Sequence, residues 1–239
     1  MELSAWGQMS VVGRLGGHRN EVYEVRRGTE RLVARRGRRS PESLAWELDL
    51  LDFLSTQGFL VPAVVPTAAG ERSAAGVVVQ QWLPGREPDT ADWPVVADEL
   101  RRLHELTTGW PARPDFLGTV ELLTADRSGD VDLTAMPADA VAACRAAWRA
   151  LQGTTTVIHG DPCAANIRVT AQGIGFLDWD EARVDSPDLD LADLPVSVLP
   201  PDRQRVAKRA VDAWEAANGW LIEPDYARTR LAALFAAPD

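Results

Sequence analysis

The chain has 239 residues, of which 46% are apolar and 25% charged. That is the mix of a globular protein with one large domain or two small ones, and it excludes disorder, collagen and coiled coil. A formal net charge of −10 argues against nucleic acid or an anionic membrane as partner, and two cysteines with three histidines exclude a disulfide framework and leave little for zinc.

The charge is unevenly spread. Residues 1–86 hold 11 Arg against 9 acids, a net of +2, while residues 87–239 hold 14 basic against 26 acidic residues, a net of −12. Lys208 is the only lysine, so a Gly-Lys-Ser/Thr phosphate loop is impossible. The N-terminal stretch lacks a charged region followed by an apolar one, and no apolar run approaches the ~20 residues of a membrane span. A soluble cytoplasmic protein is expected.

In chain order, residues 11–36 read as β structure, interrupted by the turn chemistry of Leu15-Gly16-Gly17-His18-Arg19-Asn20 and of Arg27-Gly28-Thr29. Ser40-Pro41-Glu42 opens a helix that runs to about Thr56, with a capping serine, proline in the first turn and an acid beside it. On that helix Glu42, Asp49 and Asp52 share one arc, whereas Glu47 falls among Leu44, Leu48, Leu51 and Leu54. A carboxylate in an apolar stripe is costly unless paired. Short β segments follow at 63–66 and 76–82, and Leu83-Pro84-Gly85-Arg86 reads as a hinge.

Beyond the hinge, helices are expected from Asp92, over Pro137–Leu151, over Arg203–Asn218 and over Pro224–Ala236. Between them lies an island of β character. Thr155–Ile158 leads into His159-Gly160-Asp161, and Asn166–Val169 returns through Ala171-Gln172-Gly173 as Ile174–Leu177. The hairpin would bring Asp161, Asn166 and Asp178 together, three hard oxygen donors suited to Mg²⁺. An acidic, solvated turn is the alternative. The plan is α+β and two-lobed, divided at residues 1–84 and 85–239.

His159-Gly160-Asp161-Pro162-Cys163-Ala164-Ala165-Asn166 resembles the HGDxxxxN catalytic loop of aminoglycoside phosphotransferases and related small-molecule kinases. Phe176–Ala182 resembles their metal-binding strand end, and Asp188-Leu189-Asp190-Leu191-Ala192 their downstream DLA segment. The resemblance implies a protein-kinase-like fold, a β-rich nucleotide lobe and a mostly helical lobe for the acceptor. It implies that Asp161 takes the proton of the acceptor hydroxyl, that Asn166 and Asp178 hold Mg²⁺ against the phosphates of ATP or GTP, and that His159 and Asp190 support the loop.

In the first lobe the resemblance implies nucleotide contacts at Gly16 and Gly17, at the hinge near Gln81 and Leu83, and at a strand cation paired with Glu47. With no lysine available that cation is Arg35, with Arg36 a competitor. Asp180 and Glu181 are candidate acceptor-binding residues. Within the loop Cys163-Ala164-Ala165 stands where relatives commonly carry histidine, then proline or another small residue, and glycine. The implied reaction is phosphoryl transfer to a hydroxyl of a small, cationic molecule such as an aminoglycoside-like antibiotic. A metabolic kinase for choline, homoserine or a sugar, or an inactive nucleotide-binding module, are the alternatives.

Overall fold

The computed structural model describes residues 1–16 and 19–236, which form two compact units. The first unit comprises Met1–Glu87 with Asn166–Asp180. Its four-stranded antiparallel sheet takes the strands in chain order: β1 (Ser10–Gly16), β2 (Glu21–Arg27), β3 (Glu30–Arg36) and β4 (Val77–Gln81). Helix α1 (Pro41–Thr56) lies between β3 and β4. Its start is set by the sequence signals: the Ser40 hydroxyl accepts from the Ser43 amide at 3.2 Å, and Pro41 fills the first turn, where no donor is needed. Of the two β segments expected before the hinge, only β4 is a strand. The earlier one makes a single bridge, Val64 to Gln80.

The same unit includes the hairpin β8 (Ile167–Thr170) and β9 (Gly173–Phe176). It is therefore not the contiguous 1–84 stretch expected from the sequence. The physical reason is backbone pairing. Val169 and Arg86 exchange both amide hydrogen bonds, at 2.7 and 3.2 Å, and the Phe176 amide donates to the Leu60 carbonyl at 3.0 Å. Gly85, at φ +147°, permits the first of these contacts, since a Cβ there would lie 2.9 Å from the Val169 carbonyl oxygen.

The second unit comprises Pro88–Ala165 with Glu181–Asp239. It holds α2 (Trp93–Leu106), the two-residue strands β5 (Arg127–Ser128) and β6 (Val131–Asp132), α3 (Ala138–Arg149) and β7 (Thr156–Ile158). It continues with β10 (Arg183–Asp185), α4 (Asp188–Ala192), α5 (Pro201–Gly219) and α6 (Pro224–Ala236). Small residues on α5 (Ala207, Ala210, Ala213, Ala217) let it pack closely, with Phe116, Leu122, Trp148 and Trp214 filling the core around them. Strand β10 pairs antiparallel with β7, so residues 156–158 lie beside 183–185. Lys208 on α5 bonds Asp193 at 3.0 Å. Among the described residues no helix is long and apolar enough to cross a membrane.

Candidate active site

In the first unit, alternation along β3 turns Arg35 and Arg36 to opposite faces. Arg35 is buried and pairs through NH2 with Glu47 and through NH1 with Asp180 at 3.0 Å. Arg36 lies at 3.7 Å from the exposed Glu21. The acid in the apolar stripe of α1 thus has its cation, and that cation is Arg35. Burial works against the charged guanidinium, but the fields of Glu47, Asp180 and Asp178 outweigh it and hold the group well above its ordinary pKa.

Asp178 follows β9 with a left-handed backbone, φ +53°, a conformation that aspartate tolerates better than most residues. The amide of Leu177 donates to the Asn166 carbonyl at 2.8 Å. The chain leaving β9 therefore runs beside the chain entering β8, and the side chains of Asn166 and Asp178 spring from neighbouring backbone. Asp178 is exposed and Asn166 half-buried. One carboxylate and one amide oxygen are hard donors, a pair whose chemistry would suit a divalent cation such as Mg²⁺. Among the described residues no group of three or more His, Cys, Asp or Glu side chains could hold a metal.

In the second unit the segment His159-Gly160-Asp161 follows β7. Its support is Asp190 on α4, a fully buried carboxylate. The amides of His159 and Gly160 donate to its two oxygens at 2.8 and 2.9 Å, and His104 Nε2 lies 3.0 Å from Oδ2. Burial pushes the Asp190 carboxyl up, but His104, the nearby His159 and the Gly160 amide overcome it, so its pKa falls below the usual value. The Asp161 amide donates to His159 Nδ1 at 3.3 Å, which fixes that nitrogen as the acceptor. His159 is fully buried, whereas Asp161 is exposed. Gly160 has φ +90°, and an added Cβ would collide with the Glu181 carbonyl oxygen.

Each unit thus lifts one exposed aspartate off a buried, internally bonded base: Asp178 on the first, Asp161 on the second. The 3-10 turn Ala164–Asn166 connects the Asp161 segment to β8. Cys163 within this loop is exposed.

Other expected residues fall differently. Asp180 is not offered to an acceptor: it is buried, and both its oxygens are taken up, one by Arg35 and the other by Arg39 at 3.0 Å. Glu181 is half-exposed, and Asn218 Nδ2 donates to both its carboxylate oxygens at 3.1 Å. The Gln81 amide donates to the Ala63 carbonyl at 2.8 Å. Leu83 lies half-buried just beyond β4. Gly16 ends β1, and Gly17 lies outside the described residues. The sequence reading missed Arg39 and Asn218. Arg39 had a weak signal, since it directly precedes the Ser40 cap. Asn218 had none.

A protein-kinase-like α+β fold, with a strand cation paired to a helix glutamate and an HGD segment braced from below, defines a phosphotransferase. The sequence model of the phosphotransferase enzyme family (APH) matches residues 10–232, and the chain belongs to that family. A search of curated proteins finds no match. Among solved structures, choline kinase LicA from Streptococcus pneumoniae is similar, with TM-score 0.67 and 14% identity over 95% of this chain and 93% of that one. A choline/ethanolamine kinase family protein from Mesorhizobium loti has TM-score 0.63 and 19% identity, covering 98% of this chain and 89% of the other. Amicoumacin kinase hAmiN, solved with AMP-PNP, Ca²⁺ and Ami, has TM-score 0.62 and 19% identity over 94% of this chain and 80% of that one.

Proposed function

We propose that the chain transfers the γ-phosphoryl group of ATP or GTP to a hydroxyl of a small molecule in the cytoplasm. The observation that carries this reading is the bracing of His159-Gly160-Asp161 by Asp190, a fixed backbone beneath one exposed carboxylate. Asp161 would accept the hydroxyl proton, held in place by the braced loop. Asn166 and Asp178 would hold Mg²⁺, which when bound neutralises charge on the phosphate oxygens. Arg35 would face the phosphates, Gly16 and Gly17 would admit them close to backbone, and the segment Gln81–Leu83 would border the base. His159 and Asp190 shape the loop.

For the acceptor, the charge of the second half is the guide. Many acids of the second half are already paired within their unit: Asp185 with Arg183, Asp188 with Arg203, Asp193 with Lys208 and Asp212 with Arg230. The net of −12 already counts every cation of that half, so these pairs leave its acidic excess standing. That excess favours a cationic acceptor, an aminoglycoside-like antibiotic in the first place, with a choline-type amino alcohol as the alternative. Glu181 remains a candidate acceptor contact, while Asp180 does not.

The test is a mass-spectrometric screen of small amino alcohols and basic antibiotics with ATP and GTP in the presence of Mg²⁺. A product heavier by one phosphoryl group is expected, and Asp161→Ala should lower its rate by about 10²–10⁴-fold while nucleotide binding persists. No product, together with no thermal shift by Mg²⁺ and nucleotide, overturns the reading.

A further inference from the structure

The Asp180 carboxylate lies between two guanidiniums, and this arrangement explains a choice that the sequence leaves bare, an arginine where a single cation would pair Glu47. Arg35 NH2 meets Glu47 and NH1 meets Asp180 Oδ1 at 3.0 Å, while Arg39 NH2 meets Asp180 Oδ2 at 3.0 Å. The side chains of Arg35, Arg39 and Asp180 are 7%, 9% and 7% exposed, and that of Glu47 is 1% exposed. Two cations and two anions balance in one buried cluster.

A guanidinium is planar, and anchors on both terminal nitrogens fix the orientation of its plane. These two contacts use two of its five N–H groups, leaving three for another ligand. An ammonium carries its three donors on one atom, so it has no plane for two carboxylates to orient. The cluster also reaches the turn that presents Asp178. Asp180 lies two residues further on, and Trp179 between them is buried, with its indole N–H donating to the Phe176 carbonyl at 3.2 Å.

We propose that Asp180 and Arg39 are positioning residues: Asp180 fixes the plane of the Arg35 guanidinium and the turn bearing Asp178, Arg39 neutralises its second oxygen, and this clamp is what requires arginine at residue 35. The proposal rests on the reading above that Arg35 faces phosphate and Asp178 faces the metal. It assigns Asp180 to neither ligand.

The experiment is calorimetric titration of Mg²⁺ with a non-hydrolysable ATP analogue, repeated over a range of Mg²⁺ concentrations, with melting curves for each variant. Asp180→Asn should weaken nucleotide affinity about tenfold and raise the Mg²⁺ midpoint, and Asp180→Glu should recover part of both. Arg35→Lys should cost a similar factor, and little more when combined with Asp180→Asn. Where Asp180→Asn melts below the assay temperature, the pair Asp180→Asn with Arg39→Gln keeps the cluster neutral and is read instead. A folded variant with unchanged affinity and Mg²⁺ midpoint overturns the clamp while leaving the nucleotide reading intact, and so does full additivity of Arg35→Lys with Asp180→Asn. A wild-type chain that binds no nucleotide overturns the functional reading and the clamp with it.

Discussion

Asp180 and Asp190 are buried carboxylates ten residues apart, and they are held by opposite means. Asp180, in the first unit, is held by side chains, the guanidiniums of Arg35 and Arg39. Asp190, in the second, is held chiefly by backbone, the amides of His159 and Gly160, with His104 beside them. A clamp of arginines fixes the direction of charged groups and depends on which residues supply them. A clamp of amides fixes the path of the main chain and is indifferent to the side chains it passes beneath. The role proposed for Arg35 would ask for the first kind of precision, and the loop proposed to bear the catalytic aspartate for the second.

The contrast can be broken most severely at Asp190. Asp190→Ala strands two amide donors and a buried imidazole, and should destabilise the chain by about 3–5 kcal/mol, read by denaturant unfolding. A loss below about 1 kcal/mol would show that the loop is held some other way. Gly160→Ala attacks the same loop through its backbone, because the added methyl meets the Glu181 carbonyl at a positive φ. About 2–3 kcal/mol is expected from strain and displacement, with turnover falling along with it.

Acid tests the same support without mutation. The folded pKa of Asp190 is depressed, so its contribution is complete above the ordinary aspartate value of ~3.9 and is lost as the pH falls through the lower folded value. One such group gives a slope of at most about 1.4 kcal/mol per pH unit. Stability measured from about pH 4 downward should show that slope, and Asp190→Asn should reduce it. The smallest effect sharpens the other side of the comparison. Ser40→Ala removes the cap directly after Arg39 and should cost about 1 kcal/mol, seen as a lower melting temperature.

Much of this was legible in local sequence. Ser40-Pro41 marks the start of α1, and the misplaced charge of Glu47 among leucines demanded a cation that β3 supplies. The turn at residues 171–172 closes the hairpin as its composition suggests, and the HGD and DLA segments meet through Asp190. What was not legible depends on long-range pairing. Nothing near Asp180 distinguishes an acid facing solvent from one facing guanidiniums about 140 positions earlier. The attachment of residues 166–180 to the first unit rests on backbone bonds from Leu60 and Arg86, which leave no side-chain signature. Strand β10 has three residues, too few for alternation to show, so its pairing with β7 was silent. Asp180 and Glu181 are sequence neighbours, yet one bonds arginines of the first unit and the other Asn218 of the second.

The single lysine has a practical consequence. With arginine in the β3 position, reagents that acylate amines find one side-chain target, Lys208, tethered to Asp193 on α5. A lysine-directed nucleotide probe would find no amine at Arg35, the residue proposed to face the phosphates. A fluorophore or surface linker coupled through Lys208 would instead attach at a defined point on α5, leaving Arg35 and its partners chemically untouched.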